Sequence, residues 1–196
     1  MRSRPWLLAG TALLGACLLR NADPPRFFQP GSVALDATGE VGASPPAAGG
    51  VAIRLRAVRG APFLRHRIVW RVSEVEYGLY EQRQWIDLPA HYAERALRTR
   101  LGETAGLRLT EDPRAAALRV DLLAFDEVFA PAHAADVTLA VSLWDPERGG
   151  LLNRTFSARV GIADDEPASM ARAMGLALDD VVARVADAVV ISVRAR

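Results

Sequence analysis

Three segments of alternating apolar and polar residues succeed one another between Leu118 and Ile162, and a long apolar stripe then runs to the C-terminus. Leu118, Val120, Leu122 and Ala124 share one face of the first segment, and Val137, Leu139, Val141 and Leu143 one face of the second. Leu152, Phe156, Ala158, Val160 and Ile162 do so in the third, with Arg154 as an exception on that face. A period of two is the mark of a half-buried strand. Pro131–Ala135 and Asp145–Gly150 supply turns, so the three strands are expected to form an antiparallel meander. Behind them Met170, Met174, Leu178, Val181, Val185 and Val189 recur at spacings of three and four, which predicts a helix from Pro167 to about Val193. Gly175 lies inside it, and a kink or early break is expected there.

Upstream, Val51, Ile53, Leu55 and Ala57 alternate with Ala52, Arg54, Arg56 and Val58 as a strand would. Arg67–Val72 and Glu74–Tyr80 read as two more strands joined by a turn near Ser73. After Trp85 the period lengthens, and Ala93, Ala96, Leu97, Arg100 and Leu101 form one stripe of a helix over residues 89–102, with Pro89 in its first turn. Strands, helix, three strands, helix is not the strict alternation that builds a parallel nucleotide-binding sheet. The expected fold is α+β: a mostly antiparallel sheet of about five to six strands covered by two helices, the long one C-terminal, in a single domain over residues 51–196.

The N-terminus has a different character. Arg2 and Arg4 precede an apolar run from Trp6 to Leu14, and small residues follow, as in a secretory signal. The run is too short to cross a bilayer, which takes roughly 20 apolar residues. Leu14-Gly15-Ala16-Cys17 resembles the bacterial lipobox, in which the cysteine is acylated and becomes the first mature residue. Residues 1–16 then form a lipoprotein signal peptide. Cys17 would carry a diacylglyceryl thioether and an N-acyl chain of the palmitate type, enough for stable anchoring. Leu18, where an Asp would favour inner-membrane retention, points to the outer membrane with the domain on its periplasmic side. Residues 17–50, rich in Pro and Gly, read as a flexible tether with a span of about 30 Å, in which Phe27 and Phe28 are the apolar exception.

Composition excludes several classes of function. The 24 basic residues, all Arg, face 23 acidic ones, and loss of Arg2 and Arg4 leaves the chain close to neutral, unlike a nucleic-acid binder. With one cysteine no internal disulfide can form. His66, His91 and His133 show no metal-ligand spacing, no lysine exists to complete a phosphate-binding loop, and no Gly-x-Ser-x-Gly turn occurs. Asp164-Asp165-Glu166 precedes Pro167, where negative charge favours a helix start. His133 reads as a solvated turn residue. No catalytic residue, metal or cofactor is expected, and binding or assembly is favoured over chemistry.

The stretch Ala61-Pro62-Phe63-Leu64-Arg65-His66-Arg67-Ile68-Val69-Trp70-Arg71, followed by Glu76-Tyr77, Tyr80, Gln84-Trp85 and Leu88-Pro89 before a helix, resembles the ABC-type transport auxiliary lipoproteins, among them the paraquat-inducible C-type lipoproteins. Tyr80, Arg83 and Trp85 keep that family's Tyr, Arg and Trp with one extra residue between them. The resemblance implies a non-catalytic accessory subunit of a lipid-transport machine. Its partners would be a mammalian-cell-entry-domain protein and the attached ABC permease and ATPase, with the membrane engaged through Cys17 and self-association open. The aromatic stretch between strands makes Phe63, Leu64 and Trp85 the candidate partner contact, although Phe63 and Trp85 could equally close the core. Two other readings stay open: a structural lipoprotein of another envelope assembly or secretion machine, and a periplasmic hydrolase using Asp164, Asp165 or His133.

Overall fold

A computed structural model of the chain describes residues 24–31 and 50–195. Its elements are β1 (Arg26–Phe28), β2 (Val51–Leu55), β3 (Arg59–Gly60), β4 (Arg67–Arg71), β5 (Tyr77–Trp85), α1 (Pro89–Glu103), β6 (Leu107–Leu109), β7 (Ala116–Val128), β8 (Ala134–Asp145), β9 (Gly149–Gly161) and α2 (Pro167–Arg194). The lipobox residues Leu14, Gly15, Ala16 and Cys17, and most of the expected tether, lie outside the described residues.

β7, β8 and β9 form the expected antiparallel meander, with Leu122 opposite Leu139 and Leu139 opposite Phe156. One irregularity matters. The register of β7 against β8 shifts between Leu122 and Ala124, so Phe125, not Ala124, lies opposite the buried Val137 and continues the core face. A bulge of this kind adds a residue to one strand and reverses the facing of everything beyond it. Leu123 is the added residue, 44% exposed.

The sheet is larger and more mixed than expected, with nine strands among the described residues and not a mostly antiparallel set of five or six. The segments β2, β3 and β4 lie one after another along the other edge of β7, all parallel to it, at Ala116–Leu118, Asp121–Leu122 and Asp126–Val128. Backbone bonds from Arg56 to Leu118 and from Ala61 to Leu122 stitch the gaps. Parallel pairing needs a crossover, and α1 supplies it: β5 returns antiparallel to β4, and α1 then carries the chain back so that β6 and β7 enter parallel to β2. The turn between β4 and β5 is at Ser73, whose hydroxyl accepts from the amides of Val75 and Glu76.

Both helices open with a proline, whose missing N–H costs nothing in the first turn. At the start of α1, Asp87 accepts from the Leu88 amide, the His91 ring and Arg95, each at 2.7 Å. Burial works against this carboxylate, but those bonds win and hold it at about 2, below its ordinary 3.8. The α2 helix packs over β8 and β9 and against α1, burying Met170, Met174, Leu178, Val181, Val185 and Val189 as the stripe predicts.

Helix α2 runs unbroken through Gly175, whose lack of a Cβ has another use. The Gly31 carbonyl occupies the space that a Cβ there would need, and the Gly31 amide donates to the Ala171 carbonyl at 3.1 Å. Residues 24–31 are thereby held at two places: β1 adds to the edge of β5 beside Arg83–Trp85, and Gly31 lies across α2.

Candidate docking face

Side chains alternate across a strand, so the pairings sort the sheet into two faces. One holds Phe125, Leu122, Leu139 and Phe156 beneath the helices. On the other, Val69 pairs with Leu79 and Asp126, Arg71 with Tyr77, and Asp136 with Arg159. No described helix packs on this second face, and a groove of about 530 Å³ opens there, lined by Phe63, Val69, Tyr77, Gly78, Leu79 and Leu123.

Its walls are apolar and exposed. Phe63, Tyr77 and Leu79 each leave nearly half of their surface to solvent, and Leu123, which alternates with the buried Leu122, does the same. Phe63 meets Tyr77 edge-to-face with centroids 6.1 Å apart, a favoured aromatic geometry. Gly78 belongs to the groove through its backbone, because a Cβ there would run into the indole of Trp70 opposite.

Arg71 adjoins it through Tyr77, its guanidinium 5.7 Å from the centre of that ring. Arg71 and Arg159 both donate to the same Asp136 oxygen, at 2.6 and 2.8 Å. Asp126, in the next strand, has only a 3.7 Å ion pair with Arg71 and the Phe125 amide at 3.1 Å. Burial pushes the Asp126 carboxyl up to about 6, the neighbouring Asp136 charge adding to it, against the pull of the Phe125 amide and Arg71.

The three residues expected to meet a partner are divided. Phe63 stands at the groove. Leu64 is 4% exposed and Trp85 1%, and Trp85 packs edge-to-face on Tyr92 and Phe125. Trp85 and Leu64 are therefore core side chains, and the groove adds Tyr77, Leu79 and Leu123. Tyr77 and Leu79 follow from the period of β5 and Leu123 from that of β7, where it alternates with the buried Leu122.

His133 is not a solvated turn residue. Its Nε2 lies 2.8 Å from Glu127 Oε1, its ring stacks on Phe129, and it is three-quarters buried. Glu127 in turn neighbours Tyr80, whose hydroxyl is pushed up by burial first and by that carboxylate second. Asp164 accepts the Glu166 amide and is held below its ordinary value by Ser169 and that amide, a helix-entry role. Asp165 is fully solvated, with one oxygen 3.8 Å from His133 Nδ1, and none of these side chains lines the groove. Among the described residues no three His, Cys, Asp or Glu converge as a metal would require, and no helix is long and apolar enough to cross a membrane.

Fold and surface together define an α+β domain with one sheet face under helices and the other left open around an apolar groove. Residues 34–186 match the family described as the ABC-type transport auxiliary lipoprotein component, and the chain belongs to that family. The fold is similar to that of protein XCC0632 from Xanthomonas campestris, a DUF330 protein, with a TM-score of 0.70 at 18% identity over 86% of this chain and 97% of that one. A second crystal structure, of an uncharacterized protein, aligns with a TM-score of 0.66 at 13% identity over 85% of this chain and 99% of the other. No curated protein matches the chain.

Proposed function

We propose that this protein is a lipid-anchored, non-catalytic adaptor, fixed by acylated Cys17 to the periplasmic side of the outer membrane. There it serves a mammalian-cell-entry-type lipid transport system driven by an ABC permease and ATPase. The observation that carries the reading is the family match over residues 34–186, which makes the chain an auxiliary component of ABC-type transport. The Leu14-Gly15-Ala16-Cys17 sequence supports the anchor, and Leu18 after it supports the outer membrane.

The groove around Phe63 is the surface on which we place the bridging partner. A cluster of half-exposed aromatic and aliphatic side chains with a fixed charged rim has the build of a protein contact, an apolar centre within a polar border. Trp85 and Leu64 act behind it as the support that fixes β4 and β5.

Co-purification from solubilised membranes tests this. The wild-type chain is expected to bring down a mammalian-cell-entry-domain protein, and Phe63→Ala with Leu79→Ala to lose it while the melting temperature holds. Recovery of subunits of an unrelated envelope machine, or unchanged recovery with the double variant, would overturn the adaptor role or the groove assignment respectively.

A further inference from the structure

A second concavity, about 280 Å³, lies where β2 gives way to β3, beside α1 and the loop before β7. Arg54, Leu55, Arg56, Ala57, Arg98 and Glu111 line it. It differs in chemistry from the groove: three arginines line it, with a single carboxylate, Glu111, which is 81% exposed.

The arginines are not equivalent. Arg98 is satisfied by Glu94, which accepts from its Nε and Nη2 at 3.1 Å, and Glu111 lies 3.7 Å away. Arg54 and Arg56 have no carboxylate partner among the described residues. The Nε of Arg54 is buried and makes no hydrogen bond there. Arg71 Nε is also without a hydrogen bond, yet it has Asp126 at 3.7 Å to balance its charge, and Arg54 has no such acid. A buried guanidinium N–H with neither bond nor counter-charge is rare in a folded protein and calls for a partner.

We infer that Arg54 and Arg56 form a binding site for a phosphate-bearing anion, with Arg98 as its third wall. A guanidinium presents a planar fork that matches two oxygens of one phosphate group. Two uncompensated cations fit the charge of about −1.5 to −2 on a phosphate monoester better than the single charge of a carboxylate. The site stands on its own geometry and does not depend on the adaptor reading.

The phosphate could be free or part of a lipid headgroup, and the test separates the two. The full chain in non-ionic detergent is titrated calorimetrically with inorganic phosphate, with dihexanoyl phosphatidylglycerol and with acetate. Phosphate or the short-chain lipid binds more tightly than acetate, and Arg54→Gln or Arg56→Gln each weakens that binding about tenfold or more, as expected for loss of a charged hydrogen bond. Glu111→Gln tightens it, and Arg154→Gln, on β9, leaves it unchanged. Preference for inorganic phosphate assigns a soluble source, and preference for the lipid a headgroup. Binding of neither, equal binding of acetate, or indifference to Arg56→Gln overturns the site. Arg56 is exposed, so its variant folds and decides the matter even where Arg54→Gln lowers the melting temperature.

Discussion

Asp126→Asn should make this protein more stable at neutral pH. The carboxylate is 1% exposed, accepts one backbone amide and sits beside an arginine whose best bond goes to Asp136. Its folded value of about 6 lies above the ordinary 3.8, so the native state binds the proton more tightly than the unfolded chain does. Asp126 therefore causes no loss of stability well below pH 3.8, and a loss that grows from there and levels off above about 6. Integrated to pH 7.5 the loss is about 3 kcal/mol, and at pH 4 it is about 0.5 kcal/mol. Asparagine keeps an oxygen for the Phe125 amide and carries no charge. The variant should gain up to about 3 kcal/mol at pH 7.5, roughly 6 to 12 °C in melting temperature for a chain of this size, and almost nothing at pH 4. Asp136→Asn should do the opposite at pH 7.5, because it removes the negative charge that Arg71 and Arg159 share. Thermal melts at the two pH values decide. A loss of stability in Asp126→Asn at pH 7.5, or an equal gain at both pH values, refutes the assignment of Asp126 as a charge buried without adequate compensation.

Asp87 works in the reverse direction: its value of about 2 means its contribution is present above 3.8 and is lost as pH falls toward 2, so Asp87→Asn should flatten the acid limb of a stability–pH profile measured by denaturant titration. Gly175→Ala gains helix propensity of about 1 kcal/mol but drives a methyl into the Gly31 carbonyl; hydrogen exchange should show faster exchange at residues 26–31 with α2 still protected. Trp85→Ala should cost about 3–5 kcal/mol as a core deletion and Phe63→Ala less than 1 kcal/mol, read from denaturant midpoints. Intact mass of the native protein should show a chain beginning at Cys17 and carrying acyl groups; a free thiol on an unmodified chain contradicts the anchor.

What the sequence revealed depended on whether a feature is local. The meander over β7–β9, the two helices and the hairpin at Ser73 rest on periodicity and turn chemistry, which neighbouring residues carry. The parallel pairing of β2, β3 and β4 with β7 does not, because it is decided by how α1 folds the chain back and by which edge of β7 stays free after β8 has taken the other. Gly175 illustrates the same limit. Its position inside the apolar stripe points to a weak place in the helix, but its use is a contact with Gly31, which is remote in sequence. Trp85 shows the converse, since an aromatic residue between a strand and a helix reads equally as anchor or core, and burial against Tyr92 and Phe125 chooses core.

The open face of the sheet is itself unequal, and that inequality locates the contact surface. Across β8 and β9 it carries small polar residues, with Thr138 donating to Ser157 at 2.9 Å and Ser142 opposite Asn153, a surface that water satisfies. Around β4 and β5 it carries Val69, Tyr77 and Leu79 with Phe63 above them. Hydrating that cluster is unfavourable in proportion to its apolar area, at about 25 cal/mol for each Å². Leu123 joins that cluster by ordinary alternation from the buried Leu122, and the bulge brings Asp126 onto the same face, where it meets Arg71 and Asp136. The bulge thus sets the charged border beside an apolar floor that β4 and β5 supply. Deleting Leu123 would leave β7 regular, with Phe125 still opposite Val137 and Asp126 still opposite Asp136, so the charged border should persist while the groove loses one apolar wall.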